Sequence, residues 1–341
     1  MTEAIAVTLL TGFLGAGKTT LLNYFLRHHR GAPLAILENE FGGANIDGAL
    51  IEGGEGVSVV ELGNGCVCCS VRGEFATALS DLLDRRAQGE IAFERIIIEA
   101  TGLADPGPII QTFFVDERLR EALRLDAVIT LADCQHIGQQ LDEHPVAAAQ
   151  LGFADRILLS KCDRVDDATR EAVVARLQQI NHKAEILDVL HGECPSSLWL
   201  DLAAFTLSDE LPVYRGLRIV RASGSVFAPL SGQARSWHDT ITAHLLEGGL
   251  LDLKQIGAFM EQCIDQHGND MLRYKGILAI AGEPRRLIVQ GVHKVVGFDY
   301  GSPWGDQTPR STLVIIGRHL PLANLRAEFA ATEVDIKISL T

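Results

Sequence analysis

Apolar and polar positions follow two rhythms along the chain, and the change from one to the other falls near residue 210. Before it, short apolar runs bounded by glycine, proline or charge occur at 5–11, 34–38, 95–99, 127–131 and 157–160. Runs of this length without alternation read as strands buried on both faces of a parallel sheet. Between them, 18–29, 75–86, 107–114 and 168–180 carry helical spacing, the last with Asp166 or Asp167 as N-cap. After residue 210 the runs are longer and alternate, at 239–246, 276–280, 286–298 and 311–320, with helices at 253–267 and 323–331. That pattern predicts antiparallel strands packed on two helices. The chain thus divides into an α/β domain, 1–210, and a smaller α+β domain, 211–341, with 203–221 as the linker. There is no internal repeat and no low-complexity segment.

Two domains agree with 341 residues that are 47% hydrophobic and 22% charged, a globular composition. The 30 Lys+Arg against 44 Asp+Glu leave a net charge of −14. So acidic a chain has no field to hold a nucleic-acid backbone or an anionic membrane. Seven cysteines are too few for a disulfide framework and odd in number, which points to a reducing compartment. The apolar stretch 5–14 follows Glu3 rather than a basic leader and runs into Gly-Lys-Thr, so it reads as part of the fold. No run reaches the ~18–20 apolar residues of a membrane span, and the expected location is the cytoplasm.

The strongest chemical signal is Gly12-Phe-Leu-Gly15-Ala16-Gly17-Lys18-Thr19-Thr20, after a strand and opening a helix. Glycines let successive N–H groups face a phosphate, and the helix N-terminus adds partial positive charge. Lys18 would reach the β- and γ-phosphates, and the Thr19 hydroxyl would serve Mg²⁺. The first domain is accordingly expected to be a P-loop NTPase sheet with flanking helices. A second strand ends in Glu99-Ala-Thr-Gly102. Glu99 belongs where Mg²⁺ and the attacking water meet the sheet, and its length favours contact with the metal through water. Gly102 would let the backbone approach the γ-phosphate. After a third strand, Lys161 and Asp163 in Ser160-Lys161-Cys162-Asp163 suit guanine: a carboxylate accepts from both the ring N–H and the exocyclic amine, and adenine offers no such pair.

Cys66, Cys68 and Cys69 lie within four residues of a glycine-bounded turn. Such thiolates bind Zn²⁺, Cu⁺ or Co²⁺. A structural zinc site would show a second cysteine pair, which is lacking, so the arrangement suits an open transfer site. Redox sensing and simple burial are the competing readings. Glu38-Asn39-Glu40-Phe41-Gly42-Gly43 is a polar, glycine-ended loop after a strand, fit for a nucleotide-sensing switch; Glu38 could serve Mg²⁺ or supply an oxygen ligand to the thiolate-bound metal. His136 and His191 follow strands on the nucleotide side and are secondary metal candidates. His293 and His319, in alternating strands, are assigned no role, and Cys134, Cys162, Cys194 and Cys263 read as ordinary small side chains.

Together these residues resemble the CobW family of P-loop GTPases, closest to its YjiA-type bacterial branch. The Gly-Lys-Thr loop, Glu-Asn-Glu-Phe-Gly switch, Cys-x-Cys-Cys motif, Glu-x-x-Gly strand end and Lys-x-Asp base reader occur in that order. Arg273-Tyr-Lys-Gly-Ile-Leu, Pro303-Trp304-Gly305 and Ser311-Thr-Leu-Val-Ile-Ile-Gly look like the family's C-terminal domain. The branch has a further acid after Phe-Gly where this chain has Gly43. The resemblance implies a metallochaperone that hydrolyses GTP with Mg²⁺, holds a transition metal, zinc or else cobalt or another, and passes it to a client metalloprotein. Hydrolysis in isolation is expected to be slow, because no arginine is evidently placed to stabilise the developing charge. Association into a homo-oligomer is compatible with the sequence. The alternatives are a GTP-dependent regulatory module with a redox-sensing cysteine cluster and, less well supported, a kinase for a small metabolite.

Overall fold

The computed structural model describes residues 4–29, 33–39, 57–61, 71–205 and 241–334. Seven strands, β1 (Ile5–Gly12), β2 (Leu34–Asn39), β3 (Val57–Glu61), β4 (Arg95–Ala100), β5 (Leu123–Asp133), β6 (Arg156–Ser160) and β7 (Glu185–Val189), form one sheet in the order β3-β2-β4-β1-β5-β6-β7. Every neighbouring pair is parallel, so all the strand C-termini share one edge. Crossovers are made by α1 (Lys18–His28), α2 (Val71–Ala87), α3 (Pro106–Val115), α4 (Glu117–Ala122), α5 (Ile137–Glu143), α6 (Pro145–Phe153) and α7 (Asp167–Ile180).

Successive residues of the strands enter different cores. Val7, Leu37, Ile96 and Ile98 pack with α2, α3, α6 and α7, whereas Ile36 and Ile97 pack with α1 and Trp199. That double burial is why these strands read as continuous apolar runs. Side chains set the helix starts: Asp105 accepts from Gly107 N–H, Asp116 from Leu119 N–H, and Asp166 from Thr169 N–H.

The second sheet comprises β8 (Ile241–Gly248), the two-residue β9 (Leu250–Leu251), β10 (Met271–Ile280), β11 (Arg285–Val292), β12 (Val295–Pro303) and β13 (Ser311–Arg318). It runs β12-β11-β10-β13-β8 antiparallel, with β9 parallel beside β10. Two helices, α8 (Leu253–His267) and α9 (Leu322–Ala330), cover one face through Phe259, Met260, Leu325 and Phe329. From the other face, Leu272, Val292, Ile241 and Ile316 join the core that holds Phe153 of α6. Arg273 of β10 ties the two sheets together: it donates to Phe153 O at 3.0 Å, pairs with Asp155 and stacks over Phe205 at 4.4 Å.

The expected run 286–298 is two strands, β11 and β12, broken by a turn at His293 and Lys294; His293 adopts φ 51. His319 likewise lies just past β13 at φ 52. Neither histidine is a strand residue. The boundary near residue 210 and most of the expected linker lie outside the described residues.

Candidate nucleotide site

The site is built on the C-terminal edge of the first sheet. β1 ends at Gly12, whose φ of 136 and close approach to Leu131 exclude a side chain: a Cβ there would sit 2.3 Å from Leu131 O. Gly15 (φ 72) and Gly17 (φ 101) complete the loop, and Gly17 is the N-cap of α1. No acid occupies the first turn of α1, while Arg27 and His28 occupy its last, so the N-terminal partial charge is left for an anion. Lys18 is buried, its Nζ donating to Gly12 O at 2.9 Å and Phe13 O at 3.4 Å. Thr20, the next residue but one, is exposed.

Thr19 Oγ1 donates to Glu99 Oε1 at 3.3 Å, which brings the two oxygen donors of the P-loop and β4 together. Glu99 is largely buried. Just beyond it, Gly102 lies against the P-loop so closely that a Cβ would be 2.5 Å from Leu14 N. Gln150 of α6 fixes this turn by donating to Gly102 O and Ala104 O, each at 3.1 Å. Glu38 lies in β2 in register with Glu99.

Lys161 follows β6 at φ 57, and its Nζ donates to Gly15 O at 2.8 Å and Asp133 Oδ2 at 2.7 Å. Ser160 Oγ donates to Ala16 O at 2.7 Å. The end of β6 therefore grips the P-loop twice, and Asp163 is left exposed in the following single turn, Cys162–Arg164. His136 Nδ1 shares Asp133 Oδ2 at 2.9 Å. Burial pushes the Asp133 carboxyl up, but hydrogen bonds from Lys161 and His136, the lysine charge and the Gln135 N–H outweigh it and hold it below the usual range.

Sequence reasoning missed Asp133 and Gln150. It also read Cys134 and Cys162 as scattered, whereas the two thiols are neighbours. Burial raises both, Cys162 to about 12 with Cys134 and Asp188 adding to the effect, which disfavours their thiolate forms. Cys66, Cys68, Cys69 and residues 40–43 lie outside the described residues, as does the Glu38 side chain. Among the described residues no cluster of three or more His, Cys, Asp or Glu could hold a metal. His191 is exposed after β7 at φ 50, and His136 is engaged with Asp133. Among the described residues no helix is long and apolar enough to cross a membrane.

A parallel sheet whose first strand opens through a glycine loop into a helix, with Lys18, Thr19 and Glu99 converging there, defines a P-loop nucleotide-binding protein. The family model for the CobW/HypB/UreG nucleotide-binding domain matches residues 6–188, and that for the cobalamin synthesis protein cobW C-terminal domain matches 244–333. The chain belongs to this family of P-loop GTPases. Zinc chaperone YjiA of Escherichia coli is 41% identical over 96% of this chain and 98% of its own length. Zinc chaperone CobW of Pseudomonas aeruginosa is 32% identical over 94% of this chain and 89% of its own. The crystal structure of Zn(II)-bound YjiA GTPase superposes with a TM-score of 0.77 at 36% identity, covering 98% of this chain and all of that one.

Proposed function

We propose that this chain is a GTP-hydrolysing metallochaperone of the cytoplasm, which binds a transition metal, zinc first among them, and passes it to a client metalloprotein. The observation that carries this is the near full-length likeness to proteins named zinc chaperones, joined to a P-loop whose parts converge. Cys66, Cys68 and Cys69 would hold the cargo metal, with Glu38 as oxygen ligand; soft thiolates suit zinc, and the harder oxygen ligand would be the one to give way on transfer.

In GTP binding, the backbone N–H groups of Gly15 to Lys18 and the start of α1 would receive the phosphates, and Lys18 Nζ would exchange the carbonyls of Gly12 and Phe13 for phosphate oxygens. Thr19 and Glu99 present hard oxygens 3.3 Å apart, a donor set that fits Mg²⁺. That ion would supply charge neutralisation between the β- and γ-phosphates. Glu99 pairs in register with Glu38 on the neighbouring strand, which would set a nucleotide-sensing acid beside the proposed oxygen ligand. Lys161 would cover the base and Asp163 would accept its N–H groups.

Competition with a chromophoric chelator under reducing conditions tests the reading. Zn²⁺ affinity should depend on Cys68, falling at least about tenfold in Cys68→Ser, and should differ between GDP and a non-hydrolysable GTP analogue because coupling is reciprocal. Absence of specific zinc binding in both states would favour the redox-regulatory GTPase instead.

A further inference from the structure

The turn between β11 and β12 brings one side chain of the C-terminal sheet against the segment that follows Glu99. His293 stands at its tip with its ring 5.5 Å from that of Phe153, centroid to centroid. A Cβ on Gly107, in the first turn of α3, would lie 2.7 Å from His293 Nε2, so this helix start is closed over the imidazole. The ring also lies near the backbone of Gly268 and Asn269 at the end of α8 and near the carboxylate of Asp105, the N-cap of α3. It thus touches the C-terminal domain's own helix and the first domain together.

What lies beneath gives this contact a direction. Phe153 and Gln150 are three residues apart on α6 and so share a face. Gln150 holds the Gly102 and Ala104 carbonyls, and Gly102 abuts Leu14 of the P-loop. Asp105 and Gly107 continue the same segment into α3. Any shift of the strand end Glu99–Gly102 on meeting or losing a γ-phosphate must therefore be taken up at α3 and α6, and the His293 tip packs on both. Packed contacts of this kind pass on a displacement because interiors do not compress.

We propose that His293 is a positioning residue through which the C-terminal sheet holds α3 and α6, so that nucleotide state and the seating of the C-terminal domain are coupled. The inference rests on the reading of Glu99–Gly102 as the γ-phosphate edge. The backbone at 293 has φ 51, which glycine accepts freely and asparagine tolerates. His293→Gly and His293→Asn therefore remove the imidazole without straining the turn.

The test is hydrogen–deuterium exchange on the full chain with Mg²⁺ and either GDP or a non-hydrolysable GTP analogue, alongside fluorescent-GDP titration and steady-state GTP hydrolysis. In the wild type, exchange at both 105–115 and 286–298 should differ between the two nucleotides. In both variants the difference at 286–298 should vanish while that at 105–115 persists. kcat should shift by at least about threefold, with the GDP Kd within about twofold of wild type. A merely structural role would not separate the two segments in this way. Wild-type exchange that responds to nucleotide at 105–115 but not at 286–298 would overturn the proposal, as would variants that keep the hairpin response and the kcat. Failure of the wild type to bind GDP would instead overturn the nucleotide reading on which the proposal stands.

Discussion

One carboxylate oxygen, Asp133 Oδ2, accepts from both Lys161 and His136, and Lys161 in turn reaches Gly15 of the phosphate loop. Asp133 is buried, so its charge acts at short range with little screening from water. Asp133→Asn should leave Lys161, proposed to cover the base, less firmly held. The loss of one charge-assisted hydrogen bond corresponds to a GDP Kd raised by roughly tenfold or more, measured by fluorescence titration. An unchanged Kd would show that Gly15 O alone positions Lys161. The carboxyl's lowered pKa also sets a sign: its stabilisation is present above the unfolded value, ~3.9, and is lost as pH falls through the folded one. The variant should accordingly lose part of the acid-side slope in a stability–pH profile. The P-loop was legible because glycine, lysine and threonine stand in register over consecutive positions. Asp133 was not, since its partner Lys161 is 28 residues away and an acid ending an apolar run looks like any turn former.

Between elements, the β4–α3 turn approaches the P-loop closely. The position a Gly102 Cβ would take lies 2.5 Å from Leu14 N and 2.7 Å from Leu14 Cα, main-chain atoms that cannot rotate away. Gly102→Ala should therefore push the strand end and the loop apart. Single-turnover GTP hydrolysis is expected to fall on the order of 10–100-fold, with GDP affinity less affected, because a displacement of about 1 Å at reacting groups costs that much. Hydrolysis at the wild-type rate would mean that the turn relaxes without moving Glu99. The sequence showed Gly102 but not what it abuts. Elements with strong period were visible: α8, with Asp252 capping Gln255 N–H and Ile256, Phe259, Met260 and Cys263 buried, has the bounds its pattern predicts. The short α6 was not, since residues 147–153 are all buried and give it no polar face. β7 has mixed exposure and too little apolar character to stand out. The β11–β12 turn was hidden because His293 holds a positive φ where glycine or asparagine would have signalled a hairpin.

At the scale of the molecule, the two periodicities announced two sheets, but nothing in either announced how they meet. That junction rests on a buried cation, since Arg273 pairs with Asp155, donates to Phe153 O and covers Phe205. Around it, Gln290 donates to Phe205 O at 2.7 Å and Lys275 to Ala204 O at 3.3 Å, so the segment leaving the first domain is strapped to β10 and β11. Burial pulls the Lys275 ammonium below the usual lysine range, with Arg273 adding to that effect. Arg273→Ala would leave Asp155 with the Val128 N–H as a remaining donor and no cation, an uncompensated charge in a largely dry place. Removing one partner of such a pair costs about 3–5 kcal/mol. If Arg273 is what makes the sheets unfold together, denaturant should melt the wild type in one transition. The variant should melt in two, the 241–334 unit first, when hydrogen exchange is followed separately in each sheet. A single transition displaced to lower denaturant in both sheets would instead assign the coupling to the apolar contacts of Leu272, Val292 and Ile316 with Phe153, with the ion pair adding stability but not cooperation.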